Sequence, residues 1–456
     1  MAVAFSDCNR THAGSVLFEQ ESMNRFQSPL SSPSRETHEL RYPPYHPSTP
    51  REIEELKIPR SLLTDLMLRH LRAQGVSSLR SLARLMKLSS SVVHHLFEQL
   101  RKQQLIEVKG SSGLDYSFTL TEAGRNLAAE RSETSRYTGP APVSLAEYTH
   151  AVRAQVPEVQ VNRSQLRTAL SDLVVPDSLL DQLGPALVSQ RSLFLYGPTG
   201  NGKSSYSERI VRIYRDSIVV PNAVEIDGQI MTVYDPVVHR PLAVDDHTLD
   251  PRWVVCERPC ITVGGELVSS MLNMRFDETS GTYVAPVQVK ANNGVFIIDD
   301  FGRQAISPRE LLNRWMAPLE RRIDYLSLSY GIKFEVPFEL LLVFSSNFSP
   351  DDLADEAFLR RIPNKVYVGN VDDQMFDVIF EREAVKQHIP SQPDSAEQLR
   401  RLCKIHAGDV LRACYPGDIC RILHWISKYE ERPVEIGEAE LERAAALYFA
   451  RSSPNL

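Results

Sequence analysis

Two short stretches of the 456-residue chain carry residue types at spacings that suit phosphate chemistry. Gly197-Pro-Thr-Gly-Asn-Gly-Lys-Ser204 fits G-x-x-x-x-G-K-[ST] at every fixed position. Glycines let successive backbone N–H groups turn inward around phosphate oxygens, and a helix opening at the same point adds its positive dipole end. On this pattern Gly197, Pro198, Thr199, Gly200, Asn201, Gly202, Lys203, Ser204 and Ser205 form a nucleotide-binding loop. Lys203 is placed to reach the β- and γ-phosphates, and the Ser204 hydroxyl to take Mg²⁺. Gly294-Val-Phe-Ile-Ile-Asp-Asp300 is an apolar run that ends in two carboxylates. Asp299 is expected to share in holding the metal and Asp300 to polarise an attacking water. The expected cofactors are ATP and Mg²⁺.

These residues need a frame. Ser192–Tyr196 is a short apolar run leading into the loop, and Ser205–Tyr214 can continue as a helix, so strand, loop and helix follow in the order phosphate binding requires. Glu339-Leu-Leu-Leu-Val-Phe-Ser-Ser-Asn347 reads as a second buried strand, closed by an amide. Asp355-Glu-Ala-Phe-Leu-Arg-Arg361 and the strand-like Lys365-Val-Tyr-Val368 come next. Lys203 and Asp299 are far apart for so simple a frame. The excess includes Val224–Pro236, Thr248–Val263 and Tyr283–Lys290, the last with an alternation that predicts a hairpin. Cys256 and Cys260 read as free thiols, and Asp245, Asp246 and His247 as a loop without catalysis.

Charge divides the chain. The total of 51 Lys and Arg against 58 Asp and Glu gives −7, yet residues 57–130 carry +5. Within that basic stretch, Leu62, Leu63, Leu66, Met67, Leu68 and Leu71 mark one helix face ended by Gly75, and Ser78–Met86 a second helix. A third helix follows Ser89-Ser-Ser91, and Leu105–Val108 and Tyr116–Leu120 flank a turn at Gly110–Gly113. Residues 1–56 are Pro- and Ser-rich and read as a disordered tail. Apolar runs fall short of the ~20 residues of a membrane span. With no secretory pattern at the start and only six cysteines, a cytoplasmic location is expected.

The order of helices and hairpin at about residues 60–130 resembles the winged-helix domain of bacterial repressors. That family presents its third helix to the major groove; here it offers Ser90, Ser91, His94, His95, Gln99, Arg101 and Lys102. DNA reading and protein docking both stay open, because fold does not fix function. From about residue 165 to 450, four motifs in chain order resemble the AAA+ ATPase superfamily: Walker A, Walker B, sensor 1 and the arginine-finger segment. The resemblance implies an α/β P-loop NTPase with a parallel sheet and a C-terminal helical lid. It also implies Asn347 as sensor 1, and Arg360 and Arg361 reaching a neighbour's site in a homo-oligomeric ring, a hexamer by family pattern. Two departures stand out. Asp300 replaces the usual Glu, and Asp418 occupies the position of a lid arginine, with Arg421 one turn later.

The expected organisation is a tail at 1–56, a winged helix at 57–130 and a linker with a short helix at 131–163. An ATPase core at 164–370 and a helical lid at 371–456 complete it. The function implied is ATP-driven remodelling of a macromolecular target, DNA or protein. The alternative is a DNA-binding regulator that uses ATP as a switch.

Overall fold

The structure is a computed structural model that describes residues 43–112, 115–158, 161–353, 356–390 and 392–449. The N-terminal unit comprises α1 (Arg60–Gln74), β1 (Val76–Ser78), α2 (Leu79–Met86), α3 (Ser90–Lys102), β2 (Ile106–Ser112), β3 (Asp115–Leu120) and α4 (Glu122–Thr134). Its three strands pair antiparallel in the order β1-β3-β2. Ser78 and Thr121 cap α2 and α4 by accepting from Ser81 N and Gly124 N, satisfying donors that a helix start leaves free. The strands run on through residues 110–112, beyond the end expected at Val108.

The expectation of a disordered tail is corrected for residues 43–56. Ile53 and Leu56 are buried in the same core as Leu63, Leu66 and Phe97, and Ser48 bridges to Leu249. Ile53 and Leu56 escape a reading based on proline content because burial, not local propensity, holds them. Residues 1–42 lie outside the described residues.

β4 (Val143–Ser144) and α5 (Leu145–Ala154) lead on to α6 (Arg163–Ala169), α7 (Asp177–Val188), β5 (Leu193–Tyr196) and α8 (Lys203–Arg209). The chain then leaves the main sheet for β6 (Ser217–Pro221), β7 (Ala223–Ile226), β8 (Gln229–Thr232) and β9 (Trp253–Glu257). It returns for β10 (Cys260–Val263) and leaves again for β11 (Arg275–Asp277), β12 (Thr282–Val284) and α9 (Val287–Lys290). These excursions build a second sheet, β11-β12-β8-β7-β4, over their own core of Val224, Met231, Trp253 and Tyr283.

No hairpin spans Tyr283–Lys290, contrary to the alternation in the sequence. β12 pairs with β11 and β8, Pro286 precedes α9, and Gln288 and Val289 are buried. A proline has no N–H for a ladder, so the strand stops there and the following valines pack as one helical turn.

The main sheet is completed by β13 (Val295–Ile298), α10 (Pro308–Arg321), the hairpin β14 (Ile323–Ser327) and β15 (Lys333–Pro337), and β16 (Leu341–Ser346). Short α11 (Pro350–Leu353) and α12 (Glu356–Leu359) lead to β17 (Asn364–Tyr367). The order is β10-β13-β16-β5-β17, all parallel. Strands covered on both faces read as continuous apolar runs, as Val295–Ile298 and Leu341–Phe344 do.

Four helices close the chain: α13 (Asp373–Lys386), α14 (Ser395–Ala407), α15 (Cys414–Tyr429) and α16 (Glu438–Tyr448). They enclose a separate core that includes Phe376, Phe380, Leu399, Ile419 and Leu441. Among the described residues no helix is long and apolar enough to cross a membrane.

Candidate active site

The parallel strands bring four chain segments to one sheet edge, the carboxyl ends where open α/β sheets take ligands. β5 delivers Gly197, β13 delivers Asp299 and Asp300, β16 delivers Asn347, and β17 delivers Val368 to Asn370. Register fixes their neighbourhood, since Tyr196 lies opposite Ser346 on one side and Tyr367 on the other. Glycine is required at Gly197, with φ +138° and space for a Cβ only 2.3 Å from Val368 O.

Lys203 is buried at the start of α8. Its Nζ donates to Gly197 O and Pro198 O at 2.9 Å each and to Asn347 Oδ1 at 2.8 Å. Burial pushes its pKa below the ordinary lysine value, and the charges of Asp299 and Asp300 oppose that shift. The Ser204 hydroxyl donates to Asp299 Oδ1 at 2.9 Å. These two oxygens suit a share in Mg²⁺, which keeps several waters and takes phosphate oxygens alongside one or two protein groups.

Asn347 Nδ2 donates to Asp300 Oδ1 at 3.0 Å, so one amide bridges the lysine and the second carboxylate. Asp300 adopts φ +49°, a left-handed conformation that Asp tolerates better than most side chains. Phe301 sets that turn: it is fully buried against Phe194 and Phe344, and its N–H donates to Ser345 O at 2.7 Å. Gln304 closes the loop by donating to Asp299 O and accepting from Gly302 N, each at 2.8 Å.

The paired arginines part company. Arg360 has a side chain 75 % exposed and donates to Glu356 on its own helical turn at 2.7 Å. Arg361 is 24 % exposed, faces Glu320 of α10 at 3.5 Å, and its carbonyl accepts from Ser192 Oγ at 3.0 Å. Asp355, which opens this segment in sequence, lies outside the described residues. On α15, Arg421 is exposed and spends its guanidinium on Asp418.

Arg412 has no motif to announce it. It precedes α15, and a Cβ added at Gly200 would meet Arg412 Cδ at 3.5 Å and Cys414 Sγ at 2.7 Å. Its Nε is buried and donates to nothing among the described residues, while its Cζ lies 5.9 Å from the centre of the Tyr415 ring. His94 and His95 are exposed on α3. Cys256 and Cys260 are free, with thiols pushed up to about 12 by burial, and Asp246 spends its carboxylate on His46 and Thr248.

Residues 372–447, most of the C-terminal four-helix unit, match a family described as a domain of unknown function (DUF8689). No curated protein matches the chain. Among solved structures, two variants of RuvB from Thermotoga maritima align at 11 % and 13 % identity with TM-scores of 0.37 and 0.38. They cover 61 % and 62 % of this chain and 72 % and 73 % of theirs. A third chain, titled a RuvB Holliday junction branch migration motor from the same organism, aligns at 12 % identity and TM-score 0.35 over 64 % of this chain and 72 % of its own.

Proposed function

We propose that this chain is an AAA+ protein that binds ATP with Mg²⁺, hydrolyses it, and uses the cycle to remodel a macromolecular target. The observation that carries this reading is the pair of links Ser204–Asp299 and Lys203–Asn347–Asp300, which joins all three motifs at one sheet edge. Backbone N–H groups of Gly200 to Ser204 cradle the phosphates, and Lys203 exchanges its two loop carbonyls for phosphate oxygens. Ser204 and Asp299 would hold Mg²⁺, which would supply positive charge to offset that of the phosphates. Asp300 accepts the proton of the attacking water, and Asn347 holds both that carboxylate and the water in line. Arg412, beside Gly200, supplies the lid's cation in place of Arg421.

Of the two finger candidates, Arg360 is the one free to turn outward into a neighbouring subunit's site, and Arg361 supports the segment from beneath. An arginine acting in trans requires a homo-oligomer, a hexameric ring by family pattern. Lys203→Ala is expected to weaken nucleotide binding about 10–100-fold, because a hydrogen bond to a charged group contributes ~1.5–3 kcal/mol. Asp300→Asn is expected to bind ATP and fail to turn it over. Calorimetry and phosphate release check both, and wild-type turnover in Asp300→Asn would remove Asp300 from the mechanism.

The N-terminal unit serves, in this reading, as a winged-helix module that docks on protein. The start of α3 is already engaged: Ser91 Oγ donates to Arg51 O at 2.6 Å, and Glu54, paired with Arg60, lies close enough to feel the charge of His95. A helix whose first turn is already held by another segment of the same chain offers less of its face to a major groove. A salt-dependent shift of duplex DNA by the full chain would favour the alternative, a DNA-binding regulator switched by ATP.

A further inference from the structure

We infer that Asn201 latches the phosphate loop to the helical lid and is thereby a positioning residue for hydrolysis, an inference that rests on the nucleotide reading of this site. Asn201 is 2 % exposed, and its side-chain amide is engaged by residues outside the loop, at Asn370 and Ala413. Its Nδ2 donates to Asn370 Oδ1 at 2.9 Å, at the junction between core and lid. Its Oδ1 accepts from Ala413 N at 3.2 Å, immediately before α15. One residue earlier, Gly200 O accepts from Cys414 N at 2.9 Å, and Val371 N donates to Leu411 O at 3.2 Å. Three segments, 200–201, 370–371 and 411–414, thus meet around one buried amide.

Only an asparagine satisfies this arrangement. The site needs a donor toward Asn370 and an acceptor toward Ala413 on one short side chain. Aspartate loses the donor, glutamine is a methylene too long, and alanine leaves the half-buried Ala413 N–H without this partner. The loop's inner face meets phosphate while its outer face carries the lid, so loop and lid cannot shift independently. Any change in loop geometry on nucleotide binding is passed to Ala413 and Cys414, and by linkage the lid's position acts back on the loop. Arg412, adjacent to the latch, travels with it.

The test uses the full chain and two readouts. In the nucleotide-free protein, hydrogen exchange at the amides of Ala413 and Cys414 is expected to accelerate about tenfold in Asn201→Ala, while exchange in α13 is unchanged. With Mg-ATP, kcat is expected to fall about tenfold, within the ~5–150-fold range of site coupling, and KM by less than about threefold. Asn370→Ala, an exposed position that does not threaten folding, is expected to give the same kcat loss. The double variant should be no worse than either alone, since both break one link. Unchanged exchange at Ala413 in Asn201→Ala, wild-type kcat in Asn370→Ala, or losses that add in the double variant would overturn the latch. A wild-type chain that hydrolyses no ATP would instead overturn the ATPase reading, and the exchange measurement, which needs no nucleotide, would still decide the contact.

Discussion

Arg360 and Arg361 are neighbours in sequence with different surroundings, and the difference predicts different failures. Arg360→Ala is expected to cut turnover by ~10³–10⁵, the range measured for arginine fingers, with nucleotide binding unchanged. Arg361→Ala is expected to leave turnover within about threefold and to lower stability by ~1 kcal/mol through lost packing. Phosphate release and thermal melting separate the two, and equal turnover losses would contradict the assignment. That the Gly197–Ser205 loop, Asp299, Asp300 and Asn347 stand at strand ends was legible in the sequence because each follows an apolar run, a local pattern. Arg412 was not, since a lone arginine in Leu411-Arg-Ala-Cys414 acquires meaning only when the lid is laid on Gly200. Asn201 was legible as part of the loop but not as a link to the lid, because its partners lie 169 and 212 residues away.

Elements whose signal is short-range were read well. The helices of the N-terminal unit and the strands β5, β13 and β16 follow from periodicity and caps alone. The second sheet was not foreseen, because β12 pairs in parallel with β8 across some fifty residues and neither strand exceeds four. The β14–β15 hairpin also escaped, although its tip matters: Tyr330 Oη donates to Asp227 Oδ2 at 3.1 Å on the β7–β8 turn. Within this insertion His239 is held neutral. Its Nδ1 accepts from Asp235 N at 3.0 Å, its Nε2 lies 2.9 Å from Lys290 O, and burial lowers its pKa. His70 in the N-terminal unit is lowered by burial too, with Nε2 on Gly139 O at 3.1 Å. The unfolded chain takes up these protons near pH 6.5 while the folded one does not, so their contribution is full above ~6.5 and is lost as pH falls toward the depressed folded values. Melting temperature is therefore expected to drop between pH 7 and pH 5, and His239→Gln to flatten that dependence. A steeper fall in His239→Gln would refute it.

Across the whole molecule, the N-terminal unit is tied to the insertion rather than hung on a free linker. Arg136 N donates to Ser280 O at 2.8 Å, Ala141 N to Met86 O at 2.8 Å, and β4 joins the second sheet beside β7. A target bound by α3 would thus press on the insertion, whose β7–β8 turn meets the β14–β15 tip, and β15 runs directly into β16 and Asn347. The Tyr330–Asp227 hydrogen bond on this path is testable: Asp227→Ala is expected to leave basal turnover unchanged and to blunt its stimulation by a bound target, measured by phosphate release. The order of the main sheet has a further consequence, in time. β5, which carries the phosphate loop, borders only β16 and β17, both made long after it, whereas the N-terminal unit and the β6–β9 ribbon close on partners near in sequence. At ~5–20 residues per second of synthesis, β5 waits roughly 7–30 s for its first neighbour. Nascent chains arrested before Leu341 should therefore show a protease-resistant N-terminal unit and a Gly197–Ser205 loop still open to cleavage, which makes the candidate site one of the last parts of this protein to be born.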